Sequence, residues 1–307
     1  MRARIGLFAL LVAVPAQAEI AVPPGQQPYL PVTVKDTALN ARLALGFDKA
    51  LLLNMGPAQQ AKLKMFPILG KMTLRDPLFP GGEALFRFNL VKVAPKGFKA
   101  GKMPTVWVDK PIAADADGVL SALALDGDRV TFRLGADQAG SRLYTLPRKG
   151  GGSASMQMKA GGETLRLTLE LNSPETILNA RAAQALLAEG LVRRRAEVGL
   201  WRPFPGVALP FQRLDAVPGA TLMGLPIRNA AMRITEEEAR RIDAEAQRGT
   251  STEIDDEDAI VVTAAKGKAK GRKPWILIGR DVLDDCSTIT LDRPAKAWVL
   301  NCRFDGS

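Results

Sequence analysis

The stretch Leu165-Arg166-Leu167-Thr168-Leu169-Glu170-Leu171-Asn172-Ser173-Pro174-Glu175-Thr176-Ile177-Leu178-Asn179 decides the reading of this chain, because its pattern occurs twice. It follows Ala154-Ser155-Met156-Gln157-Met158 and a Gly161-Gly162 turn, so it opens as the second strand of a hairpin. An irregular loop comes next, then a short apolar strand. Asn179 caps the Ala-rich helix Ala180-Arg181-Ala182-Ala183-Gln184-Ala185-Leu186-Leu187. The earlier copy has the same order. Leu30-Pro31-Val32-Thr33-Val34, a turn and Ala41-Arg42-Leu43-Ala44-Leu45 form its hairpin. Gly46-Phe47-Asp48-Lys49-Ala50-Leu51-Leu52-Leu53-Asn54 and the helical run Pro57-Ala58-Gln59-Gln60-Ala61-Lys62-Leu63 complete it.

Working outward, the copies also end alike. The first closes with Asp117-Gly118-Val119-Leu120-Ser121-Ala122-Leu123-Ala124-Leu125 and then Arg129-Val130-Thr131-Phe132-Arg133-Leu134. The second closes with Ile276-Leu277-Ile278-Gly279-Arg280-Asp281-Val282-Leu283 and then Ser287-Thr288-Ile289-Thr290-Leu291. Each is an apolar strand, a helical turn and a closing strand. The expected organisation is a β-rich lobe over 24–147, a flexible Gly-rich linker over 148–153, and a second β-rich lobe over 154–305.

This pattern resembles the retropepsin and pepsin superfamily of aspartic proteases over nearly the whole mature chain. In that family each lobe has a hairpin leading into Asp-Thr-Gly, a hydrophobic strand, a small helix and a late hydrophobic-hydrophobic-Gly motif. Ile276 to Leu283 is very like the late motif, and Asp117 to Leu123 is a degraded version with Ser121 in place of the glycine. The resemblance implies a mainly β fold of two similar β-barrel lobes related by a pseudo-twofold axis. The catalytic loops depart from it. Leu45 falls at the first aspartate and Glu170 at the second. Peptide hydrolysis of this kind needs two carboxylates sharing one proton, and leucine supplies none. The expected activity is therefore peptide or protein binding without catalysis. An active peptidase with an atypical carboxylate arrangement is the alternative.

Composition narrows the chemistry further. The 307 residues include no histidine, which excludes Ser-His-Asp triads, Cys-His dyads and His-based zinc sites. Two cysteines cannot build an all-cysteine zinc site, so neither a metal nor a cofactor is expected. Arg2, Arg4, the apolar run Ile5 to Val14 and Ala16-Gln17-Ala18 read as a signal peptide over 1–18, cleaved before Glu19. A periplasmic or secreted protein with no later transmembrane segment is the expectation. In that oxidising setting Cys286 and Cys302, flanking one predicted hairpin, are expected to bond. Losing Arg2 and Arg4 takes the net charge from +10 to +8 (40 basic minus 32 acidic). The basic runs at 193–195 and 266–273 are not interleaved with aromatics, so no nucleic-acid partner is expected.

The second lobe carries an insertion over 235–273. Thr235-Glu236-Glu237-Glu238 is a capping box opening a helix to about Gln247. An acidic stretch, Glu253 to Asp258, and a Lys/Gly/Ala tail, Lys266 to Lys273, flank a short apolar strand, and mobility is expected there. That strand, Asp258-Ala259-Ile260-Val261-Val262-Thr263-Ala264, is similar to the TonB box of outer-membrane transporters. The resemblance implies strand addition to the periplasmic domain of TonB as a partner.

Overall fold

The computed structural model describes residues 17–23, 25–67, 70–75, 83–247 and 273–304. The first half runs β1 (Gln17–Ala21), β2 (Tyr29–Val34), β3 (Thr37–Ala44), β4 (Leu51–Asn54) and helix α1 (Met55–Gln60). It continues with β5 (Lys71–Arg75), the long β6 (Glu83–Pro95), β7 (Gly101–Val108), β8 (Gly118–Ser121), β9 (Arg129–Arg133) and β10 (Arg142–Pro147). The second half opens with β11 (Met156–Ala160), β12 (Glu163–Leu169), β13 (Ile177–Leu178) and α2 (Ala180–Ala188). Next come β14 (Val192–Trp201), β15 (Leu209–Ala216), the small pair β16 (Thr221–Leu222) and β17 (Leu225–Pro226), and β18 (Ala230–Arg233). Helix α3 (Glu236–Gln247), β19 (Trp275–Ile278), α4 (Arg280–Leu283), β20 (Cys286–Asp292) and β21 (Ala297–Cys302) finish the chain.

The fold is mainly β, and the sequence repeat is a repeat of strand order. One sheet runs β2-β3-β8-β4-β7-β6-β5 and the other β11-β12-β19-β13-β18-β15-β14. The senses match as well. β3 pairs parallel with β8, β8 antiparallel with β4, and β4 parallel with β7. In the other sheet β12 pairs parallel with β19, β19 antiparallel with β13, and β13 parallel with β18. Alternation on the hairpin strands drives this. Leu39, Ala41 and Leu43 on β3 turn inward, as do Leu165, Leu167 and Leu169 on β12. Fully burying each leucine contributes about 1.5–3 kcal/mol.

The two sheets differ in closure. Val32, Thr33 and Val34 of β2 pair with Pro95, Ala94 and Val93 at the far end of β6, which closes six strands into a barrel. The second sheet makes no such pairing among the described residues. Strand length explains it. β6 has 13 residues and reaches round to β2, whereas its counterpart β15 has 8 and falls short of β11.

A third sheet, β1-β9-β20-β21-β10, is built by both halves, so neither is self-contained. Phe132 of β9, Ile289 and Leu291 of β20 and Trp298 of β21 are fully buried in it. The expected disulfide joins Cys286 to Cys302, which are register partners across β20 and β21. The glycine-rich segment read as a flexible linker is held in place instead. Arg148 is 6% exposed, and its Nη1 donates to the carbonyls of Gly151 at 3.1 Å and Ser153 at 2.8 Å. Ala154 then donates its N–H to Asp48 of the first half at 3.0 Å.

The caps divide. Asn179 accepts from the Ala182 N–H as a helix cap should. Asn54 holds the matching position but makes no cap bond. Its amide serves Ile112, Ala113 and Ala116 in a neighbouring loop. The capping box forms as read, with Thr235 and Glu238 bonding reciprocally. Residues 1–16 lie outside the described residues, and β1 straddles the expected cleavage point before Glu19. Among the described residues no helix is long and apolar enough to cross a membrane.

Candidate functional site

The loop that ends β3 and the loop that ends β12 face each other. A side-chain carbon placed on Gly46 would lie 3.2 Å from Glu170 Oε2 and 3.3 Å from the Leu169 carbonyl. Asn172 crosses between them and donates its side-chain N–H to the Leu43 carbonyl at 2.8 Å. Glu170 Oε1 accepts the Asn172 backbone N–H at 3.0 Å and the Asn172 side-chain amide at 2.6 Å. The Gly46 backbone N–H also donates to this carboxyl group. Burial pushes the Glu170 pKa up to about 7, while the hydrogen bonds from Asn172 and Gly46 and the charge of Arg42 pull the other way. Arg42 is itself held by Asp115, which also accepts from the Tyr29 hydroxyl.

Counting along the hairpins aligns the two loops one residue differently from the sequence reading. Ala44 and Glu170 each lie seven residues past the first residue of their strand (37 to 44, 163 to 170). Leu45 then matches Leu171, and both are fully buried. Ala44, not Leu45, stands level with Glu170. The sequence could not show this shift, because the first loop reaches its Asn54 cap with one residue more than the second needs to reach Asn179. The chemical consequence is unchanged: neither Ala44 nor Leu45 carries a carboxylate. The groups acting on Glu170 are Asn172, Gly46 and Arg42, none of them an acid.

The late motifs sit behind these loops. A side-chain carbon on Gly279 would fall 2.3 Å from the Glu175 carbonyl, so that position has no room for one. Ser121 has room, and its hydroxyl donates to the Phe47 carbonyl at 2.8 Å. Asp281 accepts from the Thr176 hydroxyl at 3.0 Å, and burial raises its pKa to about 7 against that hydrogen bond, with the Glu175 charge adding to the rise. Asp284 pairs with Arg280 at the surface, and the half-buried Asp285 pairs with Arg228. Among the described residues no group of three or more His, Cys, Asp or Glu side chains could hold a metal ion.

Beside the loops lies an apolar groove of about 400 Å³, lined by Phe47, Leu52, Met72, Phe86, Phe88 and Val106. Phe66 stacks on Phe88 with ring centroids 5.8 Å apart, and Met72 is 57% exposed. Sequence reasoning missed this groove, although a signal was there. Ala84, Phe86, Phe88 and Leu90 alternate along β6, whose other face already buries Val91 and Val93. A strand apolar on both faces has a second surface to cover. The second half fills its matching face. Trp201 and Trp275 pack 6.2 Å apart there, and the Arg213 guanidinium lies over Phe211 at 4.8 Å. The heptad Asp258, Ala259, Ile260, Val261, Val262, Thr263 and Ala264 lies outside the described residues.

Neither the models of known protein families nor the curated protein sequences match this chain.

Proposed function

We propose that this is an exported, two-lobed protein of the aspartic-protease type that binds an extended peptide or protein segment without cleaving it. The observation that carries the reading is Glu170: a half-buried carboxyl group between two facing loops, whose hydrogen-bond and charge partners are Asn172, Gly46 and Arg42 rather than a second carboxylate. Repetition of the same strand order and pairing senses in the two large sheets supports the two-lobed reading. The open groove at Phe47, Phe86 and Phe88 supports an apolar ligand side chain, since burying an aromatic ring there contributes about 2–3 kcal/mol. The disulfide supports a periplasmic or secreted location. A link to the periplasmic domain of TonB rests on the heptad 258–264 alone.

The test is a peptide array followed by titration. Peptides with a Phe or Leu flanked by extended residues are expected to bind and to be recovered intact. Met72→Lys, at an exposed position on the groove wall, is expected to weaken binding at least tenfold. Cleavage by the pure protein that is lost in Glu170→Gln would replace this reading with that of an atypical peptidase.

A further inference from the structure

A second cleft, unrelated to the facing loops, opens between α2 and α3 and has a volume of about 730 Å³. Its walls are mostly apolar and include Ala185, Met232, Ile234 and Ile242. The polar groups in it divide into committed and uncommitted ones. Glu163 is gripped by Arg181 Nε at 3.0 Å and Nη2 at 2.6 Å. Glu238 is occupied by the backbone N–H and hydroxyl of Thr235. Asn179 spends its side-chain oxygen on the N–H groups of Ala182 and Trp275. The side chains of Arg194 and Gln184 line the cleft with no hydrogen-bond or ion-pair partner among the described residues.

The strand dictates where Arg194 points. In the run Arg193-Arg194-Arg195, neighbouring side chains alternate across β14. Arg195 turns to Glu197 at 3.3 Å and Asp215 at 3.8 Å. Arg194 is half-buried, lines the cleft, and sits where the β14–β15 register slips between Arg194 and Val198. Bulges of this kind re-aim a side chain and cluster beside binding sites. Glu163 is neutralised by Arg181, and Arg194, Arg233 and Arg241 outnumber the other carboxylate of the lining, Glu238. Apolar walls with a few converging polar groups, at this volume, suit a small-molecule ligand.

We propose that the cleft between α2 and α3 binds an amphiphilic carboxylate, with Arg194 anchoring the carboxylate, Gln184 donating a further hydrogen bond, and Met232, Ile234 and Ile242 receiving the apolar body. A guanidinium offers two parallel N–H donors to the two carboxylate oxygens. Arg194 and Gln184, a single guanidinium and an amide, match a singly charged head group better than a phosphate dianion. The site is separate from the peptide-binding reading and stands without it.

Calorimetric titration of the full chain tests this, with decanoate below its micellar concentration, decanol and inorganic phosphate as probes. Decanoate is expected to bind saturably at one site, and decanol and phosphate at least tenfold more weakly. Arg194→Gln is expected to cost at least tenfold in decanoate affinity. Ala188→Trp, which fills the cleft mouth from an exposed position on α2, is expected to do the same and decides the matter if the first variant fails to fold. Absence of saturable decanoate binding, equal binding of phosphate, or decanoate binding unchanged in a folded variant would overturn the assignment.

Discussion

Replacing Glu170 by glutamine is expected to change stability with opposite signs at the two ends of the pH range. The folded-state pKa stands at about 7 against an ordinary value of 4.5, which is roughly 2.5 units. At about 1.4 kcal/mol per unit, keeping this group ionised in the folded protein costs about 3 kcal/mol. Below pH 4.5 both folded and unfolded chains hold the proton, and no cost arises. Above pH 7 both are ionised and the full cost falls on the folded state. Between those limits the wild type gains stability as the pH falls. Glutamine cannot ionise, so the cost disappears, but the amide nitrogen cannot accept the Gly46 N–H, which loses about 1 kcal/mol. Glu170→Gln is therefore expected to be about 2 kcal/mol more stable than wild type at pH 8 and about 1 kcal/mol less stable at pH 4. Urea unfolding of both proteins at intervals from pH 4 to pH 8 measures the difference. Asp281 titrates in the same window but is present in both proteins, so it cancels in the difference. A difference that stays flat across that range would show that the Glu170 carboxyl group is not desolvated by the facing loops.

Serine at both Cys286 and Cys302 removes a bond closing 16 residues and is expected to cost roughly 3 kcal/mol, measured by urea unfolding of oxidised wild type against the variant. The wild-type thiols should react with a thiol reagent only after reduction and unfolding. Arg148→Ala frees the carbonyls of Gly151 and Ser153, so trypsin is expected to cut after Lys149 in the native variant and to leave that bond intact in the wild type. Proline at Val261 fixes φ and removes a ladder donor. It should weaken binding of a 249–273 peptide to the periplasmic domain of TonB more than alanine does at the same position. Equal binding by both peptides would leave the heptad an ordinary β-prone run.

Local signals in this sequence were legible and assembly-level ones were not. The Gly161-Gly162 turn, the Asn179 cap, the Thr235–Glu238 box and the cysteine-flanked hairpin each depend on neighbours a few residues away, and each forms as read. The repeat was legible because the inward leucines of β3 and β12 recur at equal spacing. Asn54 shows where this stops. The cap position was right, but a loop nearly sixty residues on claims the amide. Closure of only one barrel depends on how far β6 extends beyond its turn, and nothing near Pro95 announces that. The order of Arg148 and its glycines depends on carbonyls, those of Gly151 and Ser153, that any flexible linker also has. The groove at Phe86 and Phe88 and the cleft at Arg194 are products of packing between elements, so residue type alone did not reveal them.

The sheet shared by the two halves also constrains the order of events during synthesis. Thr131 of β9 meets Thr290 of β20 across 159 positions of sequence, and β10 takes its partner from β21. A nascent chain that has completed its first half has an unpaired β9 edge with Phe132 beside it, and the strand that covers them has not yet been made. The first-half barrel can close on its own strands, but the shared sheet cannot form until the second half is made. Closing so long a loop costs entropy before any contact repays it, so the step is slow as well as late. Under the export proposed above, the shared sheet would still be open until the last strands had crossed, which suits passage through a narrow channel. The disulfide between β20 and β21 then locks the pair of strands that both halves have been waiting for.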